Sequence, residues 1–269
     1  MSYYQGKHIL ITGAASGMGR LMAIQMGNLG GKMILLDIDD VGLESVKSEL
    51  VEKHISVTTF LCDLSNRLQI YDIATQIGSV DILINNAGIV TGKNLLDAPD
   101  VMIEKTFQVN ILAHFWLVKS FLPGMLERNS GHIVTIASSG GLAATSKLTD
   151  YCSSKFAAIG FDESLRLELR KKGSQVRTTV VCPFFVDTGM FAGVKTRFSF
   201  LLPILKEKTV VNKIVKAISK GKRRLIMPRF VYTIFPLRMF PVGMQDTILD
   251  ILGINNSMDD FLGRNEPKT

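Results

Sequence analysis

The sequence predicts a doubly wound parallel sheet of the Rossmann type: one α/β domain with helices on both faces and an apolar, basic C-terminal appendage. Three observations predict it. Short apolar runs alternate with helix-length amphipathic segments along most of the chain, which is the pattern of repeated strand–helix–strand units. The first apolar run passes straight into a glycine-rich turn, Thr12-Gly13-Ala14-Ala15-Ser16-Gly17-Met18-Gly19, where a helix is expected to start. The chain has 269 residues, 46% hydrophobic and 20% charged, which suits one compact α/β domain better than two full domains with a linker.

Taken in order, the strand-like runs are 8–12, 33–37, 56–61, 81–85, 132–138, 176–182 and 225–227. Helical patterns fall between them at 17–29, 41–53, 66–77, 101–127, 151–172 and 210–219. The punctuation agrees. Gly30-Gly31 ends the first helix, Asp39 caps the second, and Gly173 ends the long helix after Lys171-Lys172, whose charges suit a helix C-terminus. Residues 189–205 and everything after Pro228 lack this rhythm. They read as a lid over the site of a 1–228 Rossmann-type domain and as a 229–269 appendage packing on the same domain. No repeat at a solenoid period and no low-complexity tract interrupts the pattern.

Charge and cysteine content narrow the function classes. Apolar stretches are broken by Lys, Arg, Asp or Pro before the ~18 consecutive residues of a membrane-spanning helix, so no transmembrane span is expected. No signal peptide is expected either, since a strand-like run already begins at His8. Cys62, Cys152 and Cys182 are odd in number, far apart and without metal-ligand spacing. They predict neither a disulfide framework nor a metal site, and an intracellular, cytoplasmic location. The net charge of +7 is concentrated in residues 191–238, which hold twelve Lys and Arg against one acidic residue, Glu207. That segment is also rich in Phe, Leu, Met and Pro and carries no readout motif, so nucleic acid is not the expected partner. An anionic membrane surface, a covered partner subunit or closure over a pocket are the roles it suits.

The chemistry-bearing residues sit where the strands end. The glycines of the first turn let a pyrophosphate approach backbone N–H groups at a helix start, which makes Gly13, Ser16, Gly17, Met18 and Gly19 candidate cofactor contacts. The second strand ends Asp37-Ile38-Asp39, and a carboxylate about 20 residues beyond the glycines accepts the adenosine ribose hydroxyls. A carboxylate repels a 2′-phosphate, no basic residue follows Asp37, and Ser16 stands where one could have served, so NAD is preferred over NADP. Asp37 could also simply end its strand. Tyr151 and Lys155 lie at i and i+4 at the start of a helical pattern and share one helix face. A phenol titrates near ~10 unperturbed, and an adjacent ammonium stabilises the phenolate and fits it for base catalysis. Ser138 ends a strand at the carboxyl edge of the sheet, where open α/β sheets bind ligands.

The glycine turn, Cys62-Asp63-Leu64, Asn85-Asn86-Ala87-Gly88, Asn110, Ser138, Tyr151 with Lys155, and Pro183 with Val186 and Thr188 resemble, in order, the motifs of the short-chain dehydrogenase/reductase family. The resemblance implies that Tyr151 is the general acid/base, that Lys155 lowers its pKa and binds the nicotinamide ribose, and that Ser138 orients the reacting carbonyl or hydroxyl. It further implies that Asn110 kinks its helix and holds a proton-relaying water, that Asp63 and Leu64 contact adenine, and that Asn86, Ala87 and Gly88 line the adenosine ribose. Pro183, Val186 and Thr188 complete the implied cofactor site. A homodimer or homotetramer, formed through helices 101–127 and 151–172, is also implied. One departure stands out: Phe184 follows Pro183 where the family usually has glycine. This segment, with Phe200-Leu201-Leu202-Pro203 and the Leu252-Gly253-Ile254 and Met258-Asp259-Asp260-Phe261 stretches, is similar to the epidermal retinol dehydrogenases and lipid-droplet 17β-hydroxysteroid dehydrogenases. Those relatives carry an N-terminal hydrophobic anchor, a feature that the residues before His8 are not expected to supply.

At the substrate end, Phe184, Phe185 and Met190, with Phe191, Phe198, Phe200, Leu201 and Leu202, form an apolar cluster expected over the site. A lipophilic small-molecule alcohol or ketone of retinoid, steroid or medium-chain type is the natural substrate. The competing expectation is a cofactor-binding, membrane-associated scaffold with little turnover, against which an intact Ser138, Tyr151 and Lys155 argue.

Overall fold

The computed structural model describes residues 2–263; residue 1 and the 264–269 end of the expected appendage lie outside the described residues. Among the described residues, seven strands form one parallel sheet: β1 (His8–Thr12), β2 (Lys32–Asp37), β3 (Val57–Leu61), β4 (Ile82–Asn85), β5 (His132–Ile136), β6 (Arg177–Pro183) and β7 (Arg224–Met227). Their order is β3-β2-β1-β4-β5-β6-β7. The direction of winding therefore reverses between β1 and β4, and a crevice opens at their carboxyl ends, where such sheets take ligands.

Both faces of the sheet are covered. Along β1, Ile9 and Ile11 join one core with Met22, Met26 and Ile214, whereas Leu10 joins the opposite core with Leu117, Phe121 and Leu165. The helices responsible are α1 (Gly17–Asn28) and α7 (Glu207–Ser219) on the first face, and α5 (Ala113–Glu127) and α6 (Thr149–Lys171) on the second. Two more helices, α2 (Asp40–Glu52) and α3 (Arg67–Ile77), complete the layers, capped by Asp39 and Asn66 through bonds to backbone N–H groups.

Several boundaries differ from expectation for local reasons. The run expected as strand 132–138 stops at Ile136, so Ser138 stands two residues beyond the sheet and caps a 3₁₀ turn, Ser139–Gly141. The expected single helix 101–127 consists of α4 (Asp100–Phe107), a π-helical turn at Gln108–Leu112 and α5. This Asp100–Glu127 stretch is long and apolar enough to cross a membrane by length and composition alone, and half of its most apolar 18-residue window is buried inside the fold. Residues 189–205 form turns, joined to the sheet end by a bridge between Val186 and Leu205. Beyond Pro228, where no rhythm was legible, lie α8 (Ile234–Leu237) and α9 (Val242–Ile251). No residue of α9 is buried, so it packs no side chain fully into the core.

Candidate active site

The crevice is a continuous cavity that starts at the glycine turn and ends beneath the 184–191 aromatics. At its first end, Gly13 and Gly17 have φ of +65° and +57°, a region that favours glycine. A side-chain carbon on Gly13 would come 2.8 Å from Ala87 Cα, so the turn presses against the end of β4. Thr12 Oγ1 holds that junction by accepting from the N–H groups of Asn86 and Ala87, both at 3.0 Å. Gly13, Ser16, Gly17 and Met18 line the cavity; Gly19 does not. Gly19 serves instead as a spacer, because a side-chain carbon there would sit 2.0 Å from the Gly13 carbonyl oxygen.

Asp37 and Ile38 line the same end, as do Asp63, Leu64, Asn86, Ala87 and Gly88. The Asp37 carboxylate accepts from Ala15 N–H at 2.9 Å, Ile38 N–H at 2.8 Å and Asp39 N–H at 3.1 Å. It thus joins the glycine turn to β2 as well as facing the cavity. Asp63 accepts from the backbone and hydroxyl of Ser65 at 2.9 and 2.7 Å. A glycine turn whose backbone forms the cavity wall at a helix start, with a carboxylate at the neighbouring strand end, fits a dinucleotide.

The reactive residues converge at the middle. Ser138, Tyr151 and Lys155 all line the cavity and are 9%, 5% and 3% exposed. A carbon added at Gly140 would lie 3.4 Å from Ser138 Oγ and 3.5 Å from Tyr151 Cε1, which places these two side chains against one another. Gly140 N–H donates to Ser138 Oγ at 3.0 Å, and the Lys155 ammonium donates to the Ile136 carbonyl at 3.0 Å. Burial pushes the Tyr151 phenol up, opposed by its hydrogen bond with Ser138. Burial also pushes the Lys155 ammonium down to about 8. Both shifts penalise an isolated charge, and a phenolate facing an ammonium offsets part of that penalty for each.

Asn110 lies outside the cavity wall, in the π-helical turn. Its Oδ1 accepts from Ile89 N–H at 2.8 Å, and its Nδ2 donates to the Ile89 carbonyl and to Ser154 Oγ, both at 3.0 Å. It ties the end of β4 to α6 one residue before Lys155, and both Asn110 Oδ1 and Lys155 Nζ lie within 3.4 Å of where a Gly88 side chain would begin.

Pro183, Phe184, Phe185, Val186, Thr188, Met190 and Phe191 line the far end. Phe191 packs edge-on against Tyr151 and Phe185, with ring centroids 5.6 and 5.0 Å apart. The rest of the expected apolar cluster does otherwise. Phe200 is 80% exposed, Leu202 is buried in the core beside the site, and neither they nor Phe198 and Leu201 line the cavity. Sequence reasoning missed Lys105 and Val109, which line the cavity one helical turn apart on the segment leading to Asn110. That spacing was legible, but only placement of the segment beside the crevice gives it meaning. Ile89, Thr145 and Leu148 were missed too, being loop and loop-edge residues brought in by tertiary contacts.

A doubly wound sheet with a serine, a tyrosine and a lysine at its switch-point crevice defines a nucleotide-dependent oxidoreductase. The chain belongs to the short chain dehydrogenase family, whose model matches residues 7–197. It is similar to human epidermal retinol dehydrogenase 2, 47% identical over 264 residues that cover 96% of this chain and 85% of that protein. It is also similar to short-chain dehydrogenase/reductase family 16C member 6 of Bos taurus, 44% identical over 266 residues, covering 96% and 84%. Among solved structures, a short-chain dehydrogenase/reductase from Burkholderia phymatum in complex with NAD matches with a TM-score of 0.80, 27% identity and full coverage of both chains. A metagenomic short-chain oxidoreductase in complex with NADP matches with a TM-score of 0.70 and 26% identity, covering 84% of this chain and 98% of that one. The two neighbours hold different dinucleotides, and the family as a whole uses NAD or NADP on CH–OH donors.

Proposed function

We propose that this chain is an NAD-preferring dehydrogenase that interconverts a lipophilic alcohol, of retinoid, steroid or medium-chain type, with its ketone or aldehyde. The observation that carries this reading is the convergence of Ser138, Tyr151 and Lys155 in one cavity whose far wall is Phe184, Phe185, Met190 and Phe191. Apolar walls with a few convergent polar groups bind a small greasy ligand and fix its orientation.

In the proposed mechanism the residues from the glycine turn to Lys155 would hold a dinucleotide, which when bound would supply the hydride acceptor. Gly13, Ser16, Gly17 and Met18 hold the pyrophosphate at the α1 start, Asp37 and Ile38 the adenosine ribose, and Asp63, Leu64, Asn86, Ala87 and Gly88 the rest of the adenosine end. Lys155, Pro183, Val186 and Thr188 hold the nicotinamide end. Ser138 Oγ accepts from or donates to the substrate oxygen and so orients it. Tyr151 Oη takes the hydroxyl proton as the alcohol is oxidised and returns it in the reverse direction. Lys155 stabilises the phenolate, the form of Tyr151 that accepts this proton and that remains once the proton has been returned. Asn110 acts on Lys155 at one remove, by fixing the Ile89 backbone and Ser154. The carboxylate of Asp37 favours NAD because it would repel a 2′-phosphate.

Residues 189–205 act as the substrate lid of a 1–228 catalytic domain, and residues 229–263 as an appendage on that domain. The appendage exposes Met239, Phe240, Val242 and Ile251 and also carries the exposed Arg229 and Arg238, a composition suited to peripheral contact with an anionic lipid surface. Cys62, Cys152 and Cys182 are buried and free, in keeping with a reducing intracellular compartment. The unit in solution is proposed to be a homodimer or homotetramer. Steady-state NADH formation with alcohols of graded lipophilicity tests the catalytic reading, and absence of turnover while NAD binds would favour a scaffold.

A further inference from the structure

Residues 254–262 form a strap fastened to both sides of the cavity. On one side, Thr145 Oγ1 donates to the Ile254 carbonyl at 2.7 Å, Ser146 Oγ donates to the Asn255 carbonyl, and Lys147 pairs with Asp259 at 2.7 Å. These three partners are consecutive in the loop that leads into α6 with Tyr151 and Lys155. On the other side, Lys195 N–H donates to the Ser257 carbonyl at 3.2 Å, the Lys195 ammonium pairs with Asp260 at 2.7 Å, and Leu262 N–H donates to the Ala192 carbonyl at 2.9 Å. Between the two, Met258 is 1% exposed in the core beside the site, and the Phe261 ring lies 6.4 Å from that of Phe191. Both ion pairs are partly or largely exposed and hold little by themselves; the backbone bonds and the burial of Met258 fix the strap.

We propose that Ile254 is a specificity-determining residue that forms the end wall of the substrate cavity and limits the length of the apolar tail admitted. Ile254 lines the cavity together with Thr145, Leu148 and Phe191, and the strap holds it there from both sides. The Thr145 hydroxyl proton is committed to the Ile254 carbonyl, so this wall offers the substrate tail no hydroxyl donor from that residue. The favoured substrate is therefore an alcohol whose far end is apolar. This inference rests on the reading of the cavity as an alcohol site.

The test uses the full-length protein, Ile254→Ala and Ile254→Phe, with a series of 2-alkanols of rising chain length and NAD. In Ile254→Ala the ratio of kcat/KM for long over short alcohols rises by ~10-fold or more, and in Ile254→Phe it falls, since a few methylenes in an apolar pocket discriminate to that degree. NAD binding stays unchanged in both. A second readout is calorimetric titration of the same three proteins with 2-alkanones, which reports pocket length without turnover. A length optimum that moves in binding while wild type shows no turnover supports Ile254 and sinks the dehydrogenase reading. Turnover in all three proteins with an unmoved length preference, melting temperatures being equal, overturns the assignment of Ile254 and leaves the dehydrogenase reading intact.

Discussion

Lys155 Nζ lies 5.6 Å from the centroid of the Tyr151 ring, one turn along the same helix, and donates to the Ile136 carbonyl at the end of β5. The helix supplies the pairing and the sheet supplies the anchor. A tyrosine and lysine four residues apart on an exposed helix would be an ordinary surface pair. Here both are buried, and burial opposes charge on each.

Tyr151→Phe removes only the phenolic oxygen. It is expected to lower kcat by ~10²- to 10⁴-fold, the usual worth of a positioned acid/base, and to leave the NAD dissociation constant nearly unchanged. Turnover within a few-fold of wild type would remove Tyr151 from the proton-transfer role.

Asp37→Asn keeps one oxygen acceptor, which can serve the Ala15 N–H group that joins the glycine turn to β2 but not also the Ile38 and Asp39 N–H groups bound by the other carboxylate oxygen. The variant loses the charge that would repel a 2′-phosphate. The ratio of kcat/KM for NAD over NADP is expected to drop by ~10-fold, about 1.4 kcal/mol. An unchanged ratio would mean that the carboxylate serves the backbone alone.

His114 is buried on α5 at 2% exposure, and desolvation, reinforced by the Lys155 ammonium, pushes its imidazole down to about 3. The folded protein therefore binds fewer protons than the unfolded chain between about pH 3 and the unfolded histidine value near ~6.5. Stability falls as pH drops through that window, and His132, also held near 3 by burial, adds to the slope. Asp162, pushed by burial to about 7, opposes it. In His114→Gln the slope of unfolding free energy against pH in this window should shrink by about one proton, ~1.4 kcal/mol per pH unit. Urea titrations at several acidic pH values measure it, and an unaltered slope would show that His114 does not titrate on unfolding.

The lipid contact proposed for the appendage predicts sedimentation of the full chain with vesicles containing phosphatidylserine and weaker recovery with phosphatidylcholine alone. Charge reversal at Arg229 and Arg238 together is expected to weaken binding by ~10-fold or more, since each basic residue near an anionic surface contributes about 1 kcal/mol. Equal recovery of wild type and variant would move the contact elsewhere.

How much of this was legible in the sequence depends on the range of the interaction. The glycine turn, Asp37 and the Tyr151–Lys155 pair are local patterns, a turn after a strand or a helix face, and each contributes residues to the cavity wall. Ser138 was found although its strand is two residues shorter than expected, because the 3₁₀ turn it caps carries no apolar period. The break in the helix at Asn110 was expected from the family resemblance alone, and its bonds to Ile89 and Ser154 come from distant segments that no local pattern reveals. The strap was missed for the same reason. Its partners Thr145, Ser146 and Lys147 stand more than a hundred residues earlier in the chain. Phe198 and Phe200 were assigned to the pocket on composition alone, and composition does not say which way a ring on a turn faces.

The most direct test of the central claim is NADH formation by the full-length protein with short alcohols, medium-chain secondary alcohols, a 17β-hydroxysteroid and all-trans-retinol, with Tyr151→Phe as the blank. The account predicts turnover with NAD that rises with substrate lipophilicity and disappears in the blank. Cofactor binding without turnover on any of these alcohols, or turnover that favours the short, polar ones, would contradict it.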